Sequence, residues 1–287
     1  MRTWLITGAG RGLGLEIARA ALAAGDQVVA AARRPERVAA ALPDGGDRLL
    51  AVPLELTDQR AAHGAVDAAL RRFDRIDVLV NNAGRGLLGA VEEVTDAEAR
   101  AVFDTNVFGT LAVTRAVLPV LRAQRSGTVV MISSVGGLTQ GPGWGVYGAT
   151  KCAMEGFSES LSAELAPLGI GVLIVEPGIF RTDFLDESSL HTAGNRIGDY
   201  RPTAGRTRDW VDEHNHGQPG DPAKAAAAIL TVLAAPDRPL RLQLGADCVS
   251  RVEAKLARMG EDLSSWRELS VSTGFSDTAK VTVPGYW

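Results

Sequence analysis

Seven short apolar runs, separated by longer amphipathic stretches, constrain this chain more than any other feature. They are Thr3–Thr7, Gln27–Ala32, Leu49–Leu54, Ile76–Val80, Thr128–Ile132, Gly171–Val175 and Leu240–Leu244. Rich in Val, Ile and Leu, they do not alternate with polar residues, as strands covered on both faces read. Helical periodicity fills the intervals at Leu13–Ala24, Gln59–Phe73, Ala97–Gln124, Lys151–Leu165 and Pro222–Leu233. Strands joined by helical crossovers predict an α/β fold: one doubly wound, seven-stranded parallel sheet with helices on both faces. The spacing predicts one domain over residues 1–247, with 248–287 as a C-terminal helix and tail extending it.

Two regions break the rhythm. From Phe184 to Gly220 the chain mixes Gly, Pro, His, Tyr, Trp and charges with no sustained period. Loops of this length in compact domains are usually functional lids or disordered, and 184–220 is expected as a variable substrate loop. After Cys248 an amphipathic helix is expected over about Val249–Met259, and the last residues, Val281 to Trp287, read as a loosely packed end. A net charge of −4 argues against nucleic acid as the main partner. No apolar run is long enough to span a membrane, and the early glycines exclude a secretory leader. Two cysteines are too few for a disulfide scaffold and fit a reducing, cytoplasmic setting.

Glycine is abundant, at 32 residues, and its first cluster has a clear use. Gly8-Ala9-Gly10-Arg11-Gly12-Leu13-Gly14 lies where the first strand turns into the first helix. Glycines there permit a sharp turn and let backbone N–H groups approach a pyrophosphate at the helix N-terminus. The spacing is G-x-x-x-G-x-G, through Gly8, Gly12 and Gly14. The competing reading is a plain tight turn, but its place as the first strand–helix turn of a parallel sheet favours dinucleotide binding. An NAD site commonly carries Asp or Glu at the end of the second strand. Here that strand ends in alanine and is followed by Arg33-Arg34, whose guanidinium groups suit a 2′-phosphate. Arg11 projects from the glycine turn toward the same place. NADP(H) is therefore the expected cofactor.

Tyr147 and Lys151 stand four apart, on one face of a helix. A free phenol titrates near ~10, and a nearby ammonium favours its ionised form. Such a pair is expected to act as an acid–base, with Lys151 lowering the tyrosine's pKa. Ser134 closes the fifth strand and supplies a hydroxyl for a substrate oxygen. Tyr-x-x-x-Lys alone is weak; behind a strand ending Ser133-Ser134, in a chain with this glycine turn, it is strong.

With these motifs, Asn81-Asn82-Ala83-Gly84 after the fourth strand, Asn106 in the long helical stretch, and Pro177-Gly178 followed by Thr182, the sequence resembles a short-chain dehydrogenase/reductase. The likeness covers about residues 3–183 and fits more loosely to 245. It implies Tyr147 as acid–base, Lys151 as its pKa modulator and Ser134 as partner of the substrate oxygen. It implies Asn106 holding a helix kink and a water that relays protons to Lys151. Asn82, Ala83 and Gly84 are implied on the adenosine and ribose side, and Pro177, Gly178, Ile179 and Thr182 at the nicotinamide. One departure is Glu55, beside Leu56, where the family usually has Asp near the adenine. Homodimers or homotetramers are implied, built through the two long helices.

Candidates to line a substrate site are Leu87, Leu138, Gln140, Trp144, Phe180 and Phe184. They are mostly apolar, which suits a hydrophobic carbonyl or alcohol. No metal is expected, because the four histidines have no ligand spacing with cysteines or carboxylates. Cys152 is expected as a small buried helix residue. Two other classes stay open: a dinucleotide-sensing regulator without turnover, and an epimerase or dehydratase using the same Tyr and Lys.

Overall fold

The fully apolar strands place themselves at the centre of a sheet, since burial on both faces is the only arrangement that removes them from water. The structure, a computed structural model, describes residues 1–275. Its main sheet is built from β1 (Thr3–Thr7), β2 (Gln27–Ala32), β3 (Leu49–Pro53), β4 (Val78–Asn81), β6 (Gly127–Ile132), β7 (Ile170–Pro177) and β9 (Arg241–Leu244). The strand order is β3-β2-β1-β4-β6-β7-β9, and every pairing is parallel. The order reverses between β1 and β4, and at such a switch point the loops leaving the strands part to form a crevice.

One face of the sheet is covered by α1 (Gly12–Ala23), α2 (Pro35–Ala41) and α8 (Pro222–Ala234), whose Ile17, Val38 and Ile229 are wholly buried. The other is covered by α3 (Gln59–Phe73), α5 (Thr110–Gln124) and α6 (Gly145–Leu165), with Val117, Leu121 and Met154 buried against it. Local signals start these helices where they start. Asp58 accepts from the Arg60 N–H at the head of α3, and Asp221 does the same for Ala223 ahead of Pro222 in α8.

Three features differ from the sequence expectation. The stretch 97–124 is not one helix: α4 (Asp96–Phe103) and α5 are joined by a π-helical turn over Asp104–Gly109. The region 184–220 is not irregular throughout. A short strand, β5 (Gly86–Leu88), pairs in parallel with β8 (Leu190–Thr192), and α7 (Arg206–His214) follows a second π turn at Arg201–Gly205. Buried Glu93 fastens this region: it accepts from the N–H groups of Ala90 (2.9 Å) and Ile197 (3.0 Å) and pairs with Arg208. Finally, α9 runs over Ala246–Val271, well beyond Met259, because one interior glycine, Gly260, costs a helix only about 1 kcal/mol. The expectation for Val281–Trp287 falls outside the described residues. No helix among the described residues is long and apolar enough to cross a membrane.

Candidate active site

The loops at the carboxyl ends of the strands enclose a cavity of about 1110 Å³. At one end lies the glycine turn. Gly8 has φ +68°, and a Cβ there would lie 2.9 Å from Ala83 Cα, so no other residue fits without strain. Helix α1 then starts at Gly12 with no side-chain cap, and Gly12 and Leu13 line the cavity. Uncapped N–H groups at a helix start attract an anion. Gly14 does different work: a Cβ would lie 2.3 Å from Asn82 Nδ2, so its smallness seats α1 against β4 rather than contacting a ligand.

Thr7, which sequence reasoning missed, organises the next wall. Its Oγ1 accepts from the N–H groups of both Asn82 and Ala83, each at 3.0 Å, while Asn82 Nδ2 donates to the Thr7 carbonyl at 2.9 Å. Asn82, Ala83 and Gly84 are thereby held along the cavity. Arg33, Arg34, Glu55 and Leu56 also line it, at the mouths of β2 and β3, and Arg37 joins them from α2. No carboxylate follows β2 until Glu36 in α2. Arg11 lines the cavity as well. It reaches across to the far loop, where its guanidinium donates to Ser188 Oγ (2.5 Å), the Ser188 carbonyl (3.1 Å) and Ser189 Oγ (2.6 Å).

Deeper in, Ser134, Tyr147 and Lys151 meet, although they come from the end of β6 and two turns of α6. Ser134 Oγ accepts from the Gly136 N–H at 3.0 Å, which fixes the hydroxyl's position. Tyr147 packs edge-on to Trp144 (5.7 Å between ring centres) and against Phe184 (5.6 Å). Burial pushes its phenol up to about 12, only partly opposed by a hydrogen bond with Ser134. The expected lowering by Lys151 does not prevail in this structure. Lys151 Nζ lies 5.9 Å from the Tyr147 ring centre and gives a hydrogen bond to the Ile132 carbonyl at 2.8 Å. Burial also draws the ammonium down to about 8, against the charge of Glu155 one turn on. At neutral pH the site therefore holds a protonated phenol beside a lysine close to its own titration.

Asn106 does not line the cavity; it sits in the π turn and supports the site from behind. Its Oδ1 accepts from the Arg85 N–H and its Nδ2 donates to the Arg85 carbonyl, both at 2.9 Å, and Nδ2 also reaches Thr150 Oγ1 at 3.1 Å. Thr150 Oγ1 in turn donates to the Tyr147 carbonyl at 2.7 Å. One side chain thus ties the segment after β4 to the helix bearing Tyr147 and Lys151.

Pro177, Gly178, Ile179 and Thr182 form the opposite wall, with Phe180 and Phe184. Asp247, at the start of α9, was not anticipated; its carboxylate accepts from the Ile179 N–H at 3.0 Å. Of the expected substrate-lining residues, Trp144, Phe180 and Phe184 face the cavity and three do not. Leu87 is only 2% exposed, since β5 turns it into a cluster with Val102 and Tyr147. Leu138 packs on Val135, Cys248 and Val252. Gln140 is turned outward, donating to the Gly136 carbonyl at 2.7 Å and to Cys152 Sγ at 3.1 Å. Cys152 itself is exposed, not buried. Leu185 and Trp210 also line the cavity and add apolar surface.

A crevice at the switch point of a parallel sheet, with a glycine turn at one end and a Ser–Tyr–Lys group within, defines a Rossmann-type oxidoreductase. The chain belongs to the short chain dehydrogenase family, whose pattern matches residues 2–193. It is 37% identical over 273 residues to oxidoreductase BOA17 of Botryotinia fuckeliana (strain B05.10), covering 95% of this chain and 99% of that one. A solved short-chain dehydrogenase from Streptomyces avermitilis is 43% identical with a TM-score of 0.88, over 96% of this chain and 100% of that one. An alcohol dehydrogenase from the archaeon Thermococcus sibiricus, solved with 5-hydroxy-NADP, is 25% identical with a TM-score of 0.69, over 85% and 96% of the two chains.

Proposed function

We propose that this oxidoreductase uses NADP(H) to reduce a ketone or aldehyde of a mostly hydrophobic substrate, or to oxidise the corresponding secondary alcohol. The observation that carries the reading is the buried Tyr147 phenol, sharing the cavity with Ser134 and Lys151 and walled by Trp144 and Phe184. The residues present fit a dinucleotide. The uncapped start of α1 and the Gly8 cradle suit its pyrophosphate, and Asn82, Ala83 and Gly84 its adenosine side. Arg33 and Arg34, with no acidic residue between them and β2, favour a 2′-phosphate over a free ribose hydroxyl. Similar solved structures hold nicotinamide dinucleotides of both kinds, 5-hydroxy-NADP in the Thermococcus sibiricus alcohol dehydrogenase and NADH in a 3-ketoacyl-(acyl-carrier-protein) reductase from Brucella melitensis, so the choice rests on Arg33 and Arg34.

When bound, the reduced nicotinamide supplies the hydride that adds to the carbonyl carbon. Tyr147 Oη gives its proton to the carbonyl oxygen as negative charge develops there, and Ser134 Oγ donates a hydrogen bond to the same oxygen. Lys151 remains cationic below about pH 8 and stabilises the phenolate left on Tyr147. Asn106 holds the helix that presents both groups. Trp144, Phe184, Leu185 and Trp210 exclude water and select apolar substrates. The resemblance further supports self-association through the α4–α5 and α6 helices, where Phe108 is 60% exposed.

The deciding experiment is steady-state oxidation of NADPH, and in parallel NADH, with a panel of ketones and aldehydes. Sustained consumption favouring NADPH and apolar carbonyls is expected. Tight binding without turnover favours a sensor, and substrate conversion without net NADPH loss favours an isomerase or dehydratase.

A further inference from the structure

Helix α9 is 26 residues long, yet little of it touches the rest of the protein. Cys248 and Val252 are buried, packing with Val135 and Leu138. From residue 253 to 271 every position is exposed. Large apolar side chains nevertheless recur along it. Leu256 is 63% exposed, Met259 54%, Leu263 63% and Trp266 62%.

Their spacing is regular. Val249, Val252, Leu256, Met259, Leu263 and Trp266 follow one another at alternating intervals of three and four residues. That is the narrow seam of a coiled coil rather than the broad stripe of a helix lying on a core. If Val249 and Val252 take the first and fourth places of a heptad, the flanking places hold Glu253, Lys255, Gly260, Asp262, Arg267 and the exposed Leu269. Both signs of charge are present, and they complement a second copy of the same helix in either orientation. In an antiparallel pair that seats Leu256 on Trp266 and Met259 on Leu263 of the other copy, Glu253 faces Arg267 of the other copy, twice by symmetry. In a parallel pair Asp262 faces Arg267 of the other copy, again twice.

We infer that the outer part of α9 is an interaction surface for α9 of a second copy of this chain, the two pairing through Leu256, Met259, Leu263 and Trp266. A heptad seam needs a partner helix with the same spacing. Elsewhere among the helices of the described residues, Phe108 is the only large apolar side chain left exposed. The sequence after residue 275, Ser276-Asp277-Thr278-Ala279-Lys280-Val281-Thr282-Val283-Pro284-Gly285-Tyr286-Trp287, contains no such repeat. This surface is separate from the α4–α5 and α6 faces and leaves the cavity untouched.

The test is the mass in solution, by sedimentation equilibrium or light scattering, of the full chain and of Leu256→Glu/Leu263→Glu. Wild type is expected to be at least dimeric. The double variant is expected to have half its mass, with unchanged helix content, unchanged thermal midpoint and unchanged NADPH oxidation. A chain lacking residues 276–287 is expected to keep the wild-type mass. A monomeric wild type, or a double variant of wild-type mass, overturns the inference. So does a higher mass after removal of 276–287, which assigns the seam to the chain's own end. Binding of wild type, but not the double variant, to phosphatidylcholine–phosphatidylglycerol vesicles also overturns it, by assigning the seam to a lipid surface.

Discussion

The carboxylate of Asp247 holds the backbone N–H of Ile179, 68 residues earlier, at 3.0 Å. Through this bond the start of α9 fixes the wall formed after β7. Asp247→Ala removes a charged acceptor from a half-buried donor, which costs about 1–2 kcal/mol. Urea unfolding is expected to show that loss. Fluorescence titration is expected to show NADPH affinity weakened several-fold, because Pro177, Gly178, Ile179 and Thr182 line the cavity proposed to hold the dinucleotide. An affinity equal to wild type refutes the anchoring role.

Tyr147→Phe keeps the ring contacts with Trp144 and Phe184 and removes the proton donor. Turnover is expected to fall by at least about a hundredfold, with NADPH affinity near normal. Burst and steady-state assays beside a binding titration separate the two effects.

Arg33→Ala/Arg34→Ala deletes the paired cations after β2. Each charge-assisted hydrogen bond lost from a phosphate is worth about 1.5–3 kcal/mol at best, so KM for NADPH is expected to rise by about tenfold or more. KM for NADH is expected to change little. Kinetics with both cofactors check this, and equal losses for the two dismiss a 2′-phosphate role.

A pH dependence follows from Glu176, wholly buried in β7 beside β9, where burial raises its carboxyl to about 7 although Gln243 and Arg241 oppose this. Folded Glu176 therefore holds a proton more tightly than the unfolded chain does. Its stabilising effect is complete below the unfolded value near ~4.3 and is lost as pH rises towards 7. Glu176→Gln is expected to flatten the fall in stability across that window, by an amount of order 1–3 kcal/mol. Urea midpoints measured at pH 5 and pH 8 for both proteins provide the check, and parallel slopes contradict it.

Much of this was legible in the sequence, for reasons that particular residues make plain. Val28, Val29, Val129 and Val130 are buried on both faces of the sheet, so their pattern is local and direct. Tyr147 and Lys151 share a helix, and spacing alone brings them together. The resemblance implied a kink at Asn106, but its form as a π turn over Asp104–Gly109 was not legible, because Asn106 is satisfied by the backbone of Arg85, 21 residues away. Arg11 was legible as a residue of the glycine turn facing the cavity, but its bonds to Ser188 and Ser189 in a distant loop were not. The elements within 184–220 are too short to show a period, and contacts with Glu93 and Glu98 hold them in place. Leu87 and Leu138 pointed away from the cavity because a three-residue strand and the root of α9 turned them, and neither is visible locally.

The β5–β8 pair has a consequence for how substrates are chosen. Residues 190–192 are hydrogen-bonded to 86–88, and Glu93 clasps the chain again at Ile197 and Arg208. The stretch opposite Tyr147 is therefore masonry rather than a door. On the proposed function, a change of substrate preference is expected to come from reshaping that wall rather than from altering its movement.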